Sequence, residues 1–278
     1  MTIAAGFRCQ DGVVLCADTQ MSTGISKFSQ SKFRVYTKLQ CKPALVYAGD
    51  RDFSLMAIQL IAQAILKAES EKAPVVDAIR TEAIEIYKRY HEMSTVERVM
   101  ELQAVATIRV DGKRKLFLIN GPTVSPVERA ECIGVGSYLG YYVIDTMFQK
   151  AAKAWEVAHA AAYLLFLTKS YVAYCGNESQ IMIYWDRGGF TTFPNDPMRS
   201  ISLTDMEKDF KALQLNLRQV FLGLVNFDLK DGEYNSILKG FADRASEMRS
   251  KHSHEIQEFI RGFEEEQERA KDESESST

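Results

Sequence analysis

Thr2 is the residue whose chemistry stands out first, because it directly follows the initiator methionine. Removal of Met1 would leave a free α-amine and a β-hydroxyl on one residue. An unperturbed α-amine titrates near about 8, so it can serve as a base close to neutral pH. Within reach of the hydroxyl, directly or through one water, that amine activates the oxygen as a nucleophile. Met-Thr starts are common, and an arbitrary second residue would read the same way, so the surrounding sequence has to carry the argument.

The other reactive side chains form no comparable set. The five cysteines (Cys9, Cys16, Cys41, Cys132 and Cys175) are odd in number, scattered, and without a CxxC pair. They read as small buried residues in a reducing compartment, from which a cytoplasmic location follows. His252 and His254 lie close together in a charged helical stretch with no third ligand nearby, so a solvated surface is expected rather than a metal site. No cofactor is expected. The formal net charge of -3 gives no basic field for a nucleic acid. There is no apolar run of about twenty residues to span a membrane. The first residues lack a basic region followed by a long apolar stretch, unlike a secretory signal.

The elements that must position Thr2 follow from periodicity. Residues 2–9 and 13–17 are apolar runs separated by Gln10-Asp11-Gly12, a strong signal for an opening β-hairpin. A polar stretch containing Gly24 follows, then strands at 33–36 and 44–48. From Asp52 to about Glu69 the pattern becomes helical, with Ala57, Leu60, Ile61, Ala64 and Ile65 on one face. A second helix starts near Pro74. Strands return at 103–110 and 115–119 around Asp111-Gly112. Helices are expected from about 138 to 154 and 155 to 170, then strands at 180–185 and 190–193. Two antiparallel sheets with a helical pair on each outer face would bury all these stripes. The pattern alone gives α+β with mostly antiparallel sheets. With 46% hydrophobic residues, the chain can form one sizeable core plus an appendage. Residues 1–199 read as the core domain. Residues 200–278 read as a helical C-terminal extension, opening on the capping box Thr204-Asp205-Met206-Glu207 and ending in a charged, serine-rich tail that frays. That extension is either solvent-facing or an assembly contact.

Taken in order, the segment TIAAGFRCQDGVVLCADTQ from Thr2 to Gln20, the stretches Ser31–Val35 and Tyr47–Asp50, and the turn Ile133-Gly134-Val135-Gly136-Ser137 with Asp145 following resemble proteasome β-type subunits and their bacterial relatives. Gly24 also falls where that family has a glycine. The resemblance covers residues 2 to about 193. It implies an N-terminal nucleophile (Ntn) hydrolase fold, a four-layer αββα sandwich. It also implies a threonine-type endopeptidase that hydrolyses peptide bonds of peptide or unfolded protein substrates inside a ring-forming homo-oligomer, with an ATP-dependent regulator as a possible partner.

Residue by residue, the resemblance makes Thr2 the nucleophile and Asp18 the acid that lies near it and pairs with a lysine. It makes Ser137 the hydroxyl beside the N-terminal amine, a position where serine would equally serve as a helix N-cap. Gly49 would supply a backbone N–H to the oxyanion, or Ala48 if the register differs by one. Two positions depart from the family pattern. The place of the family's lysine, before Val35, is held by Arg34, which stays charged and cannot shuttle a proton. It could still hold Asp18. Lys32 lies two residues away and would share a strand face with Arg34; it is the expected partner only if the local register shifts. The acid that the family carries before a Ser-Gly-Gly turn is absent from Ser170–Asn177, and Glu178 follows instead. Three functions therefore stay open: a threonine peptidase, a non-catalytic ring subunit or scaffold of the same fold, and an Ntn amidohydrolase acting on a small amide.

Overall fold

In the computed structural model, which describes residues 2–23, 26–93, 100–149, 151–193, 203–226 and 229–275, the two apolar runs around Asp11-Gly12 pair as expected. Strand β1 (Ala4–Arg8) lies antiparallel to β2 (Gly12–Asp18), with Ala4 opposite Ala17. Gly24 and the Met1 whose removal would free the Thr2 amine lie outside the described residues. The chain divides into two units, Met1–Thr192 and Phe193–Thr278.

The first unit continues with β3 (Gln20–Thr23), β4 (Ser26–Ser29), β5 (Phe33–Val35) and β6 (Ala44–Gly49). Helices α1 (Arg51–Glu71) and α2 (Val75–Met93) follow. Next come β7 (Leu102–Val110), β8 (Lys113–Asn120), β9 (Thr123–Val127) and β10 (Ala130–Ile133), then α3 (Ser137–Met147), α4 (Ala154–Tyr171), β11 (Ser179–Trp185) and β12 (Phe190–Phe193). One five-stranded sheet has the order β10-β1-β2-β11-β12, the other β5-β6-β7-β8-β9, and β3 pairs with β4 alone. The polar segment after Asp18 is thus a two-stranded hairpin, although its sequence carries no apolar alternation.

Alternation assigns the faces. Val13, Leu15 and Ala17 from one sheet and Ala44, Val46, Val105 and Leu116 from the other share one apolar cluster. The two sheets therefore face each other. The opposite face of the second sheet, through Leu45, Tyr47, Ala104 and Ile119, packs on Phe53, Ala57, Ile61, Ile79 and Ile86 of α1 and α2. All seven residues of β2 are buried, because α4 lies against the side that the second sheet leaves open. Helix α3 stops at Met147 rather than continuing to 154. Phe148 turns into extended backbone and packs edge-to-face on Phe7 at 5.3 Å, while Arg129 donates to the carbonyls of Ile144 and Phe148.

The second unit consists of α5 (Leu203–Val225) and α6 (Asp231–Glu275), which pack against each other. Across that contact Lys251 Nζ donates to Asp209 Oδ2 at 2.9 Å, and His252 Nε2 lies 3.3 Å from the same oxygen. No helix among the described residues is long and apolar enough to cross a membrane.

Candidate active site

The β1–β2 register carries Thr2 and Ile3 alongside the end of β2. There the Ile3 N–H donates to Asp18 Oδ1 at 3.1 Å, and the Asp18 N–H donates to the Ile3 carbonyl at 3.2 Å. The Thr2 hydroxyl donates to the same carboxylate oxygen. Lys32 Nζ stands 2.6 Å from Asp18 Oδ1 and also donates to Thr2 Oγ1. The other carboxylate oxygen accepts the Gly176 N–H at 2.9 Å. Asp18 therefore accepts four donors, three on Oδ1 and one on Oδ2. Thr2, Asp18 and Lys32 are all closed to solvent. Burial pushes the Lys32 ammonium below its ordinary pKa, and the charge and hydrogen bond of Asp18 oppose that shift. A lysine held this way can give up its proton and receive the one from the Thr2 hydroxyl.

A glycine turn sets the position of Thr2. Gly134 has φ +87°, and a β-carbon there would stand 2.3 Å from the Thr2 carbonyl oxygen. The Gly136 N–H donates to that same oxygen at 3.2 Å. A β-carbon on Gly136 would meet Thr168 Cγ2 at 2.4 Å and Cys175 Sγ at 3.2 Å. The Gly-Val-Gly spacing thus lets backbone approach the nucleophile from one side and α4 from the other.

Arg34 requires correction. It pairs with Leu45 and bonds neither Thr2 nor Asp18. Its Nη1 donates to the Phe33 carbonyl at 2.7 Å, and its guanidinium sits over the Tyr47 ring at 5.6 Å. The lysine of the site is Lys32, directly before β5. Residues two apart share a strand face, but Arg34 lies farther along it by about 6–7 Å, and its guanidinium is held by the Ser31 and Phe33 carbonyls rather than by the carboxylate. The alternation was visible in the sequence; the register that chooses between the two cations was not.

Ser137 is the first residue of α3. The N-cap is Gly136, which has no side chain to cap with, and among the described residues the Ser137 hydroxyl makes no hydrogen bond. Its N–H donates to the Gly134 carbonyl at 3.1 Å, so it belongs to the turn that holds Thr2. Gly49 ends β6 opposite Leu102, with φ +112°. A β-carbon there would collide with the Glu101 carbonyl at 2.1 Å. β6 runs past its pairing with β5, which leaves Ala48 and Gly49 at the end of the sheet near Lys32. Ala48 is buried in the core between the sheets.

No carboxylate lies in 170–177, and the Glu178 side chain is exposed while its backbone pairs with Thr19. The segment contributes the Gly176 N–H and the buried Cys175 thiol instead. Burial first, then the charge of Asp18, pushes the Cys175 thiol up to about 12, whereas Lys32 pulls it down. Neither contribution had a sequence signal, since a backbone donor leaves none. Among the described residues no group of three His, Cys, Asp or Glu side chains is placed to hold a metal ion.

By sequence, no family model and no curated protein matches the chain. Solved structures do match it. Anbu from Hyphomicrobium sp. strain MC1 is 18% identical, with a TM-score of 0.64 over 82% of this chain and 100% of that one. Anbu (ancestral beta-subunit) from Yersinia bercovieri is 13% identical, with a TM-score of 0.63 over 78% and 97%. The helical assembly of the Anbu complex from Pseudomonas aeruginosa is 14% identical, with a TM-score of 0.63 over 78% and 95%. Identities this low speak for fold alone. They correct the resemblance to proteasome β-type subunits: the structures this chain is similar to are Anbu proteins, proteasome-like in kind but distinct from the proteasome's own subunits.

Proposed function

We propose that the chain is an Anbu-like, self-assembling subunit that hydrolyses amide bonds in peptides or unfolded proteins, with Thr2 as nucleophile once Met1 is removed. The observation that carries this reading is the closed contact of Thr2 Oγ1, Lys32 Nζ and Asp18 Oδ1. In the reaction Thr2 Oγ bonds to the substrate carbonyl carbon while Lys32 takes the hydroxyl proton. Asp18 holds Lys32 and stabilises its charge. The C–N bond breaks, the amine leaves with a proton, and water hydrolyses the resulting ester. The backbone N–H of Gly49 is the proposed oxyanion donor, and Ser137 the hydroxyl that orients the freed amine. The facing sheets, backed by α1–α2 on one side and α4 on the other, support a four-layer αββα arrangement. A ring or helical homo-oligomer, an ATP-dependent regulator and a cytoplasmic site belong to the same reading, with the helices beyond residue 200 as its extension.

The absence of an acid from 170–177 favours a second reading, a non-catalytic subunit that keeps the fold and the assembly. Intact mass before and after treatment with an electrophile selective for N-terminal threonine separates the two. Catalysis predicts loss of Met1 and a single adduct, abolished in Thr2→Ala and Lys32→Met. A processed chain that takes no adduct leaves only the non-catalytic reading, and retained Met1 removes the amine altogether.

A further inference from the structure

Strand alternation sends three arginines into the space between the two sheets, at the end away from Thr2. On β1, Ala4 and Gly6 face the second sheet; a β-carbon on Gly6 would stand 2.5 Å from Val105 Cγ1 and 3.0 Å from Leu116 Cδ1. Arg8 is the next residue on that face. On β7 the inward Val105 is followed on its face by Thr107 and Arg109, and on β8 the inward Leu116 is preceded by Arg114. Arg109 and Arg114 stand directly opposite each other across the ladder. Arg8 Nη1 donates to the Arg114 carbonyl, which joins the third arginine to the pair from the other sheet.

No acid answers them. Among the described residues Arg8, Arg109 and Arg114 form no ion pair. The carboxylates at this end have other partners: Asp186 Oδ1 accepts the Arg114 backbone N–H at 2.8 Å, and Asp11 Oδ1 the Ala154 N–H at 2.8 Å. Glu69 accepts the N–H groups of Gln40 and Cys41 at 3.0 and 2.8 Å, and Asp111 lies 3.9 Å from Lys115. Arg114 is 2% exposed, with its guanidinium 5.2 Å over the Tyr184 ring. Its Nη1 donates to the Lys42 carbonyl at 2.7 Å, but its Nε has no hydrogen-bond partner among the described residues. Thr107 is fully buried on the diagonal from Arg114, and its hydroxyl has no partner there either. Like charges facing each other across a ladder repel, and a buried charge without a counter-charge is costly. Burial pushes the Arg114 guanidinium below its ordinary pKa and the Arg109 charge adds to that, while Tyr184 and Asp186 oppose it. Two unmet donors on adjoining positions, beside three positive charges, share one need, an anionic acceptor.

We propose that the chain binds a small inorganic oxyanion of the phosphate kind between its sheets, held by Arg109, Arg114 and the Thr107 hydroxyl with Arg8 alongside. Arginine forks match the oxygens of such an ion, and a doubly charged one offsets most of the cluster. Thr107 and Arg114 are closed to solvent, so the seat suits a free ion rather than a bulky ester. Arg109 is half-buried and lines the open cavity shared with Gln40, Cys41, Glu69, Lys72 and Gly112, which gives the ion its approach. The site lies at the far end of β1 from Thr2 and does not depend on the proposed hydrolysis. Its effect is to tie β1 of one sheet to β7 and β8 of the other.

The test uses the full chain dialysed free of phosphate. Inorganic phosphate then replaces chloride at constant ionic strength, up to a few millimolar. Calorimetric titration should give one phosphate per chain, and thermal unfolding should shift upward until the site saturates. Arg109→Met should abolish both responses. In chloride alone it should melt higher than the wild type, because the facing charge is gone, a gain that misfolding cannot produce. Thr107→Val, which keeps the shape and removes the hydroxyl, should weaken phosphate about tenfold, the weight of one hydrogen bond to a charged acceptor. A wild type that neither takes up phosphate nor shifts overturns the site. So does an equal shift in the wild type and Arg109→Met, which is the general action of an excluded salt.

Discussion

Lys32 Nζ lies 2.6 Å from Asp18 Oδ1, with both side chains shut away from water. The pair is asymmetric in its support. Asp18 keeps donors from Thr2, Ile3 and Gly176 if the lysine is lost, whereas among the described residues Lys32 has only Thr2 and Asp18. Asp18→Ala should therefore destabilise the fold by roughly 3–5 kcal/mol, the range for stranding one member of a buried pair. Lys32→Met should cost less, about 1–3 kcal/mol, because it strands a group with other partners. Urea denaturation of the two variants checks the order, and equal losses would mean that the surrounding donors do not compensate.

A pH dependence follows from the same lysine. Burial holds the Lys32 pKa below its ordinary 10.5, with Asp18 opposing. Between the lowered value and 10.5 the unfolded chain binds more protons at this position than the folded one does. Stability contributed by Lys32 therefore rises with pH across that window, and below it the buried ammonium weakens the fold. Denaturation midpoints measured on the alkaline side should climb for the wild type relative to Lys32→Met. Parallel profiles would mean that the lysine titrates normally.

Gly134→Ala should act on Thr2 without touching its chemistry. The added methyl would sit 2.3 Å from the Thr2 carbonyl at a residue with φ +87°. The strain and the displaced strand should together cost roughly 2–4 kcal/mol. Thermal unfolding reads the loss, and electrophile labelling of Thr2 should fall with it. An alanine variant with wild-type melting and labelling would show that the turn yields.

The helical unit offers an acid-side prediction. Partial burial raises the Asp209 pKa, but hydrogen bonds from Lys251 and His252 outweigh it and hold the carboxyl below 3.8. An acid depressed in the folded state contributes stability present above 3.8 and lost as pH falls through the folded value. Amide exchange in α5 and α6 of the full chain should accelerate on such acidification more in the wild type than in Asp209→Asn. Identical acceleration would assign the loosening to other groups.

Local signals were readable in the sequence and long-range ones were not. Asp11-Gly12 and Asp111-Gly112 announced their hairpins because a turn needs only its own residues, and Asp111 and Gly112 indeed take positive φ. Helices α1 and α2 followed from an apolar stripe. β3 and β4 went unseen because their residues are mostly polar and show no apolar alternation, although Gln20 and Met21 are buried. β9, with Pro126, and β10, with Glu131, lack strand alternation and exist through pairing with β8 and β1. At the site, Thr2 and Asp18 were legible from the hairpin that joins them. Lys32 was eclipsed by Arg34 because the two cations stand two residues apart, Lys32 directly before the three-residue β5 and Arg34 within it, and only pairing with β6 and the approach of β2 decide which of them meets the acid.

The turn at Gly134 and Gly136 fixes Thr2 by close fit and by one hydrogen bond, gripping a main-chain carbonyl that carries no catalytic function. The seat of the nucleophile is thus independent of the groups that would activate it. Descendants of this chain could exchange Lys32, or lose hydrolysis entirely, and still hold their first strand in register. The two glycines should therefore outlast the chemistry in inert relatives, marking where a reactive threonine once stood.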